Sequence, residues 1–218
     1  MSQPVKIDFV SDVVCPWCAI GLQSLEQAIA RVGGDLQVEL HFQPFELNPQ
    51  MQAGGEDVVE HLTRKYGMSA EQARSNSEAI RQRGASLGFT FDMDRRRRIV
   101  NTFDAHRLLH WAEQEHPDMQ RALKHALLRA YFSEGQDVSS PDVLAQLAES
   151  VGLDGARARA ILASDEYAEA VRARERLYQE HGINAVPSVV FNDRHLIQGG
   201  QPVEVFEQAL RQLSGIAG

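Results

Sequence analysis

Ser11-Asp12-Val13-Val14-Cys15-Pro16-Trp17-Cys18-Ala19-Ile20-Gly21-Leu22 holds both cysteines of a 218-residue chain, three positions apart. Upstream, Val5-Lys6-Ile7-Asp8-Phe9-Val10 alternates, which predicts a strand with Val5, Ile7 and Phe9 on one face. Downstream, Leu22, Leu25, Ile29 and Val32 recur at helical spacing until Gly33-Gly34 stops them. Two thiols therefore stand where a strand feeds a helix. Pro16 suits the first helical turn, because its missing N–H would have no intrahelical acceptor there.

That placement carries chemistry. The first amides of a helix lack partners and its dipole is positive at that end, so a thiolate at Cys15 is favoured, and the thiolate is the reactive form. Cys18, one turn on, shares the face and is placed to attack a mixed disulfide formed at Cys15. A zinc half-site is the competing interpretation, but it needs two more ligands. The eight histidines show no paired spacing that faces the motif, and the strand-to-helix context favours redox chemistry.

Bulk composition narrows the field. Hydrophobic content of 43% and charged content of 24% suit an ordinary globular protein with ample material for a core. A net charge of −8 disfavours nonspecific binding to nucleic acid or anionic membranes, and no apolar run approaches a membrane span. Met1-Ser2-Gln3-Pro4 leads straight into a strand without an export-type segment, so the cytoplasm is the expected compartment. Two lone cysteines at this spacing in a reducing compartment suggest catalysis rather than a structural staple.

Along the chain, Val38, Leu40 and Phe42 alternate with Glu39, His41 and Gln43, completing a βαβ unit with parallel strands. Residues 51–56 predict a loop. Helical periodicity then persists for over a hundred residues: Val58 to Tyr66; a helix opened by the Ser69/Gln72 capping box and running to Gly88; Arg96 to Glu115; and one carrying Leu123, Leu127 and Tyr131. Short helices follow from Ser140 and over 154–163, then a long one from Asp165 to Gly182. Ser188 to Phe191, the turn Asn192-Asp193-Arg194 and His195 to Ile197 form a hairpin, and a last helix starts near Pro202. The order βαβ, helices, ββα predicts an α/β fold with one sheet built from both chain ends: a unit of residues 1–53 and 155–218, and a helical insertion of 54–154.

Val186-Pro187 stands immediately before the returning strand, where a proline is tolerated. Taken alone, an ordinary trans bond is the simpler interpretation. With the Cys-x-x-Cys unit, the hairpin and the final helix, the chain resembles the thioredoxin superfamily, and the helical block narrows this to the DsbA-like branch. Asp12-Val-Val-Cys-Pro-Trp-Cys18, Pro44-Phe-Glu-Leu-Asn-Pro49, Asn101-Thr-Phe-Asp-Ala-His-Arg-Leu108, Ala185-Val-Pro-Ser188 and Gln198-Gly-Gly-Gln-Pro202 resemble FrnE-like DsbA-family oxidoreductases. Relatives of that group include 2-hydroxychromene-2-carboxylate isomerases and kappa-class glutathione transferases.

The resemblance implies a cis Pro187 opposite Cys15 and Cys18, supporting a substrate backbone beside Val186. It implies a thiol–disulfide oxidoreductase with Cys15 as nucleophile, Cys18 as resolving thiol, and no bound metal or cofactor. Its substrate is a protein or small-molecule thiol or disulfide, with glutathione or another thiol as possible co-substrate. Related isomerases and transferases carry serine at the position of Cys15, so the pair argues for disulfide exchange; a glutathione-dependent isomerase or transferase is the alternative. A non-catalytic peptide-binding module built around Trp17 and Val186 is a further, different class. Trp17 replaces the histidine of the strongly oxidising DsbA enzymes, which points to a more reducing pair.

Asn48, Asn101, His106 and Gln201 are carried over as substrate-side candidates, although turn-capping and polar-pair roles compete for each. Glu46 is a candidate proton acceptor for Cys18, with a surface carboxylate as the plainer role. Arg95 to Arg98 predicts a solvated, partly ion-paired helix start, part of which borders the cleft if the helix points there. Trp17 is expected to shield the motif, and Trp111 to lie in the core of the insertion.

Overall fold

The computed structural model describes residues 4–34, 36–52 and 54–215. Residues 1–3, used above for localisation, and residue 53, the expected end of the first segment of the sheet-bearing unit, lie outside them. In chain order the elements are β1 (Val5–Ser11), α1 (Pro16–Val32), β2 (Val38–Pro44), β3 (Glu56–Asp57), α2 (Val58–Tyr66), α3 (Ala70–Ser86) and β4 (Arg98–Ile99). There follow α4 (Phe103–Glu115), α5 (Pro117–Phe132), α6 (Pro141–Ser150), α7 (Gly155–Leu162), α8 (Ala168–Glu180), β5 (Ser188–Phe191), β6 (His195–Gln198) and α9 (Val203–Ser214).

Four strands form one sheet in the order β2-β1-β5-β6. β1 pairs parallel with β2 from Val5↔Val38 to Ser11↔Pro44, and antiparallel with β5. Both chain ends thus build the sheet. Helices cover β1, so Val10 and Asp8 are buried along with Ile7 and Phe9, and the alternating pattern does not mark a wet face. α1 packs on α9, whereas α4, α5 and α8 reach β2. Gln120 of α5 closes the outer edge of β2: its amide donates to the Phe42 carbonyl and its Oε1 accepts the Phe42 amide, each at 3.1 Å. One apolar core runs from the sheet into the helices and includes Phe9, Phe42, Leu108, Trp111 and Phe132.

Local signals account for most element ends. Asp57 caps α2 by accepting the Val59 and Glu60 amides, and Ser69 with Gln72 forms the capping box of α3. The three-residue loop 192–194 of the hairpin places Asn192 and Asp193 at φ 50° and 56°, in the left-handed region that Asn and Asp tolerate better than most residues. Two boundaries differ from the sequence expectation. The helix expected from Arg96 starts at Phe103, because Arg98–Ile99 pairs with Glu56–Asp57, inside what reads as a loop. The last long helix starts at Ala168 rather than Asp165, after a left-handed Tyr167 at φ 62°. Neither a pairing partner forty residues away nor a single reversed φ leaves a mark on periodicity.

Candidate active site

β1 ends at Ser11, and residues 12–14 carry the chain over the tip of the sheet to α1. Cys15 is the residue just before the first helical turn, with extended φ and ψ of −89° and 114°. Its amide donates to the Asp12 carbonyl at 3.3 Å, and its carbonyl accepts the amides of Cys18 and Ala19 at 3.1 and 3.3 Å. These bonds fix Cys15 at the positive end of the helix and Cys18 one turn further in. Both are free thiols; Cys15 is 4% exposed and Cys18 fully buried.

The chain returning into β5 supplies the opposite wall. The Val186–Pro187 bond is cis, and the Val186 carbonyl accepts from Cys15 Sγ at 3.9 Å. Pro187 sits against α1 at Gly21, where a Cβ would stand only 3.0 Å from Pro187 Cγ. At Gly200 a Cβ would meet the Trp17 carbonyl oxygen at 3.1 Å. Sequence reasoning had not assigned Gly21 or Gly200 to the site. The spacing of Gly21 one turn after Cys18 was the available signal, and it does not announce which segment approaches.

Beneath the thiols lies a polar floor. Asp12 is fully buried, accepts the Leu47 amide at 2.7 Å, and has His106 Nε2 at 3.4 Å. Burial works to raise the Asp12 carboxyl, yet His106, the Leu47 amide and Thr102 together hold it below its ordinary value. Burial pushes the Cys18 thiol well up, with the Cys15 sulfur adding; the Asp12 backbone and the Lys124 charge oppose this.

On the other side of Cys15 opens a cavity of about 420 Å³, bounded by Trp17, Asn48, Tyr66, Ile80, Arg96 and Val186 among others. A larger groove of about 880 Å³ between α2, α3 and the 90–97 segment contains neither cysteine. Trp17 is 45% exposed at the cavity mouth. Lys65 of α2, unmarked by any motif, donates to the Leu47 carbonyl and to Asn48 Oδ1 at 2.7 and 2.8 Å, tying the helix to the rim.

Of the substrate-side candidates, Trp17, Asn48 and Val186 line this cavity, whereas Asn101, His106 and Gln201 do not. Asn101 precedes α4 and accepts the Phe103 amide at 2.9 Å, so it is not on one helix with His106. His106 is buried against Asp12, and Gln201 donates to the Gln198 carbonyl at 2.8 Å. Glu46 is neither a surface carboxylate nor part of the cavity beside Cys15; it is buried and paired with Arg172, beside Glu175. The arginine run is not a helix start. Arg95 pairs with Asp92, Arg97 donates to the Asp94 carbonyl, and Arg98 holds the carbonyls of Gly54 and Gly55. Of the four only Arg96 lines the cavity, packed over the rings of Tyr131 and Phe132. Among the described residues no three His, Cys, Asp or Glu side chains cluster to hold a metal ion, and no helix is long and apolar enough to cross a membrane.

The chain is similar to known proteins over nearly its whole length. A family model described as a DSBA-like thioredoxin domain matches residues 6–211. YwbO of Bacillus subtilis (strain 168), described as uncharacterized, is 30% identical over 207 residues, covering 94% of this chain and 96% of YwbO. A probable DsbA oxidoreductase from Streptomyces coelicolor superposes with a TM-score of 0.88 at 36% identity, covering 98% of this chain and 92% of that one. Cytosolic disulfide reductase DsbM from Pseudomonas aeruginosa, solved with GSH, gives a TM-score of 0.63 at 20% identity, covering 95% and 98%. At that identity the likeness to DsbM is one of fold.

Proposed function

The chain belongs to the DSBA-like thioredoxin domain family and is a DsbA-like oxidoreductase; from that premise we propose that it exchanges disulfides through Cys15 and Cys18. The Cys15 thiolate attacks a substrate disulfide, one substrate sulfur leaves, and a mixed disulfide forms at Cys15. Cys18 then attacks Cys15, closing the internal disulfide and releasing the second substrate sulfur as a thiol. Two electrons pass to the substrate, and an external thiol restores the pair. The reverse direction oxidises a dithiol by the same steps.

The single observation that carries this reading is the position of Cys15: at the helix tip, 3.9 Å from the Val186 carbonyl beside the cis proline, with Cys18 shut in behind it. Pro187 and Val186 support the substrate backbone, and Trp17 and Asn48 line its path. A cavity of about 420 Å³ suits a small thiol or the side chains of a peptide, and glutathione is the proposed co-substrate. No bound cofactor is needed, since the sulfurs carry the electrons. We place the activity in the cytoplasm, where a dithiol is kept reduced. Trp17 offers no positive charge, so the pair is more reducing than the roughly −120 mV of a strongly oxidising DsbA.

Equilibration in defined glutathione buffers, thiol trapping and mass spectrometry test this. The expected result is a cooperative conversion of two free thiols to none, with a midpoint well below that of a strong oxidant. Cys15 and Cys18 failing to interconvert anywhere in the glutathione range would overturn it. Turnover of an aromatic substrate that needs glutathione but survives Cys18→Ser would instead support the isomerase or transferase chemistry.

A further inference from the structure

The protein carries 30 acidic side chains against 22 lysines and arginines, yet no Asp or Glu is among the described residues that bound the cavity beside Cys15. Its wall instead includes Arg96, which is only 9% exposed. Arg96 Nε donates to the Tyr131 hydroxyl at 3.2 Å, and its guanidinium carbon lies 5.4 and 5.3 Å from the Tyr131 and Phe132 ring centres. Tyr131 is itself held, its hydroxyl donating to the Arg98 carbonyl at 2.8 Å. The side chain is thus fixed along one edge and one face, while neither Nη meets an acceptor and no carboxylate pairs with it among the described residues. Arg95, Arg97 and Arg98, by contrast, are exposed to water. A guanidinium does not shed its proton, so burying one without an anion is costly, and its Nη edge matches a carboxylate. His61, also on the wall, already has Glu56 Oε2 2.9 Å from its Nδ1. The larger groove shares Leu62, Ala73, Ser77 and Arg96 with the cavity but carries Asp57, Glu78, Asp92 and Asp94, so an anion is favoured on the Cys15 side.

We infer that Arg96 is the anion-binding residue of this cavity, and that the preferred substrates are small thiols or disulfides bearing a carboxylate. The inference rests on the proposed disulfide exchange and names the chemistry of its substrate: sulfur at Cys15 and carboxylate at Arg96, within one space of about 420 Å³. A carboxylate seated there accepts hydrogen bonds from the free Nη edge and balances the buried charge, and it takes no part in the bond exchange at sulfur. An amide of the same shape leaves the guanidinium unanswered, which is where the discrimination arises. Glutathione carries carboxylates at both ends and a smaller acidic thiol carries one; the recognised group is the same.

The test sets 3,3′-dithiodipropionate against its diamide, and glutathione disulfide against its tetramethyl ester, at about 50 mM salt. The first phase, attack by Cys15 of the reduced protein, is followed by acid quenching, alkylation of the remaining thiols and mass spectrometry. Each rate is divided by that of free 2-mercaptoethanol with the same disulfide, which removes intrinsic reactivity. The wild type is expected to favour the acid over its neutral counterpart by at least about tenfold. Arg96→Gln is expected to remove most of that preference, the acid slowing far more than the amide. Arg96→Lys, which keeps the charge without the planar edge, should fall between the two. Arg97→Gln, at the exposed neighbour outside the cavity, should leave the preference intact. A preference for glutathione disulfide over its ester supports the inference with the tripeptide as the source, and one confined to dithiodipropionate supports it with a smaller acidic thiol. Equal rates for acid and neutral forms in the wild type would overturn it, and that measurement stands even if Arg96→Gln does not fold. A preference that survives Arg96→Gln, or vanishes in Arg97→Gln, would overturn it too. Failure of every disulfide to react at Cys15 would instead remove the proposed exchange, and this inference with it.

Discussion

One turn of α1 carries two identical side chains into opposite surroundings. Cys15 looks towards a cavity walled by Trp17, Asn48 and Val186, where a substrate sulfur has access. Cys18 looks inward, towards a dry, polar interior that holds Asp12, with His106 beside it, and Lys124. The contrast shows that a Cys-x-x-Cys unit is not symmetric. In the proposed exchange, burial rather than residue type separates the two roles, since desolvation disfavours a free thiolate at Cys18.

The strongest way to break this asymmetry is to remove each sulfur in turn. Cys15→Ser is expected to abolish exchange, by about a thousandfold or more, in a coupled reductase assay. Cys18→Ser should leave the first attack nearly intact and strand a stable mixed disulfide at Cys15, visible by mass spectrometry. Equal losses of the first phase in both variants would contradict the division of labour.

Next in size is the floor. Asp12→Asn should destabilise the fold by about 2 kcal/mol at pH 7, read by urea unfolding. Because the folded Asp12 carboxyl is held below its unfolded value near 3.8, its contribution is fully present above about pH 4 and disappears as pH falls. The variant should therefore show a flatter acid limb than the wild type. A smaller effect probes the wall: Gly21→Ala introduces a Cβ against Pro187 and should cost about 1 kcal/mol, despite the helix-propensity gain of alanine. Trp17→Ala, the mildest, is expected to raise KM for a peptide disulfide about threefold while leaving kcat little changed.

Much of this molecule is written locally. The strand, the helix beginning at Pro16, the Ser69 capping box and the Asn192-Asp193 hairpin turn are all short-range patterns, and each stands where its residues imply. The two-residue pairing of Glu56–Asp57 with Arg98–Ile99 is not local, so the arginine run looked helical. The site divides in the same way. Cys15 and Cys18 are marked by spacing, whereas Pro187, and Val186 beside it, come from the resemblance; Trp17 lies between the cysteines. Asn101, His106 and Gln201 were placed by resemblance alone and fall outside the cavity. Lys65 and Gly200 carried no usable signal and the spacing of Gly21 pointed to no partner, because what makes all three matter is the segment each one meets.

The linear chain by itself determined the pair on which the proposed chemistry rests: two sulfurs one helical turn apart at a strand–helix junction, in a chain with no other cysteine. Tertiary structure alone decided which sulfur faces the cavity and what charge stands behind the other. Helix α5, a hundred residues downstream, brings Lys124 to that place through contacts at Phe42. Electrostatic fields act through space and are strong only where water is excluded, and both conditions arise from packing.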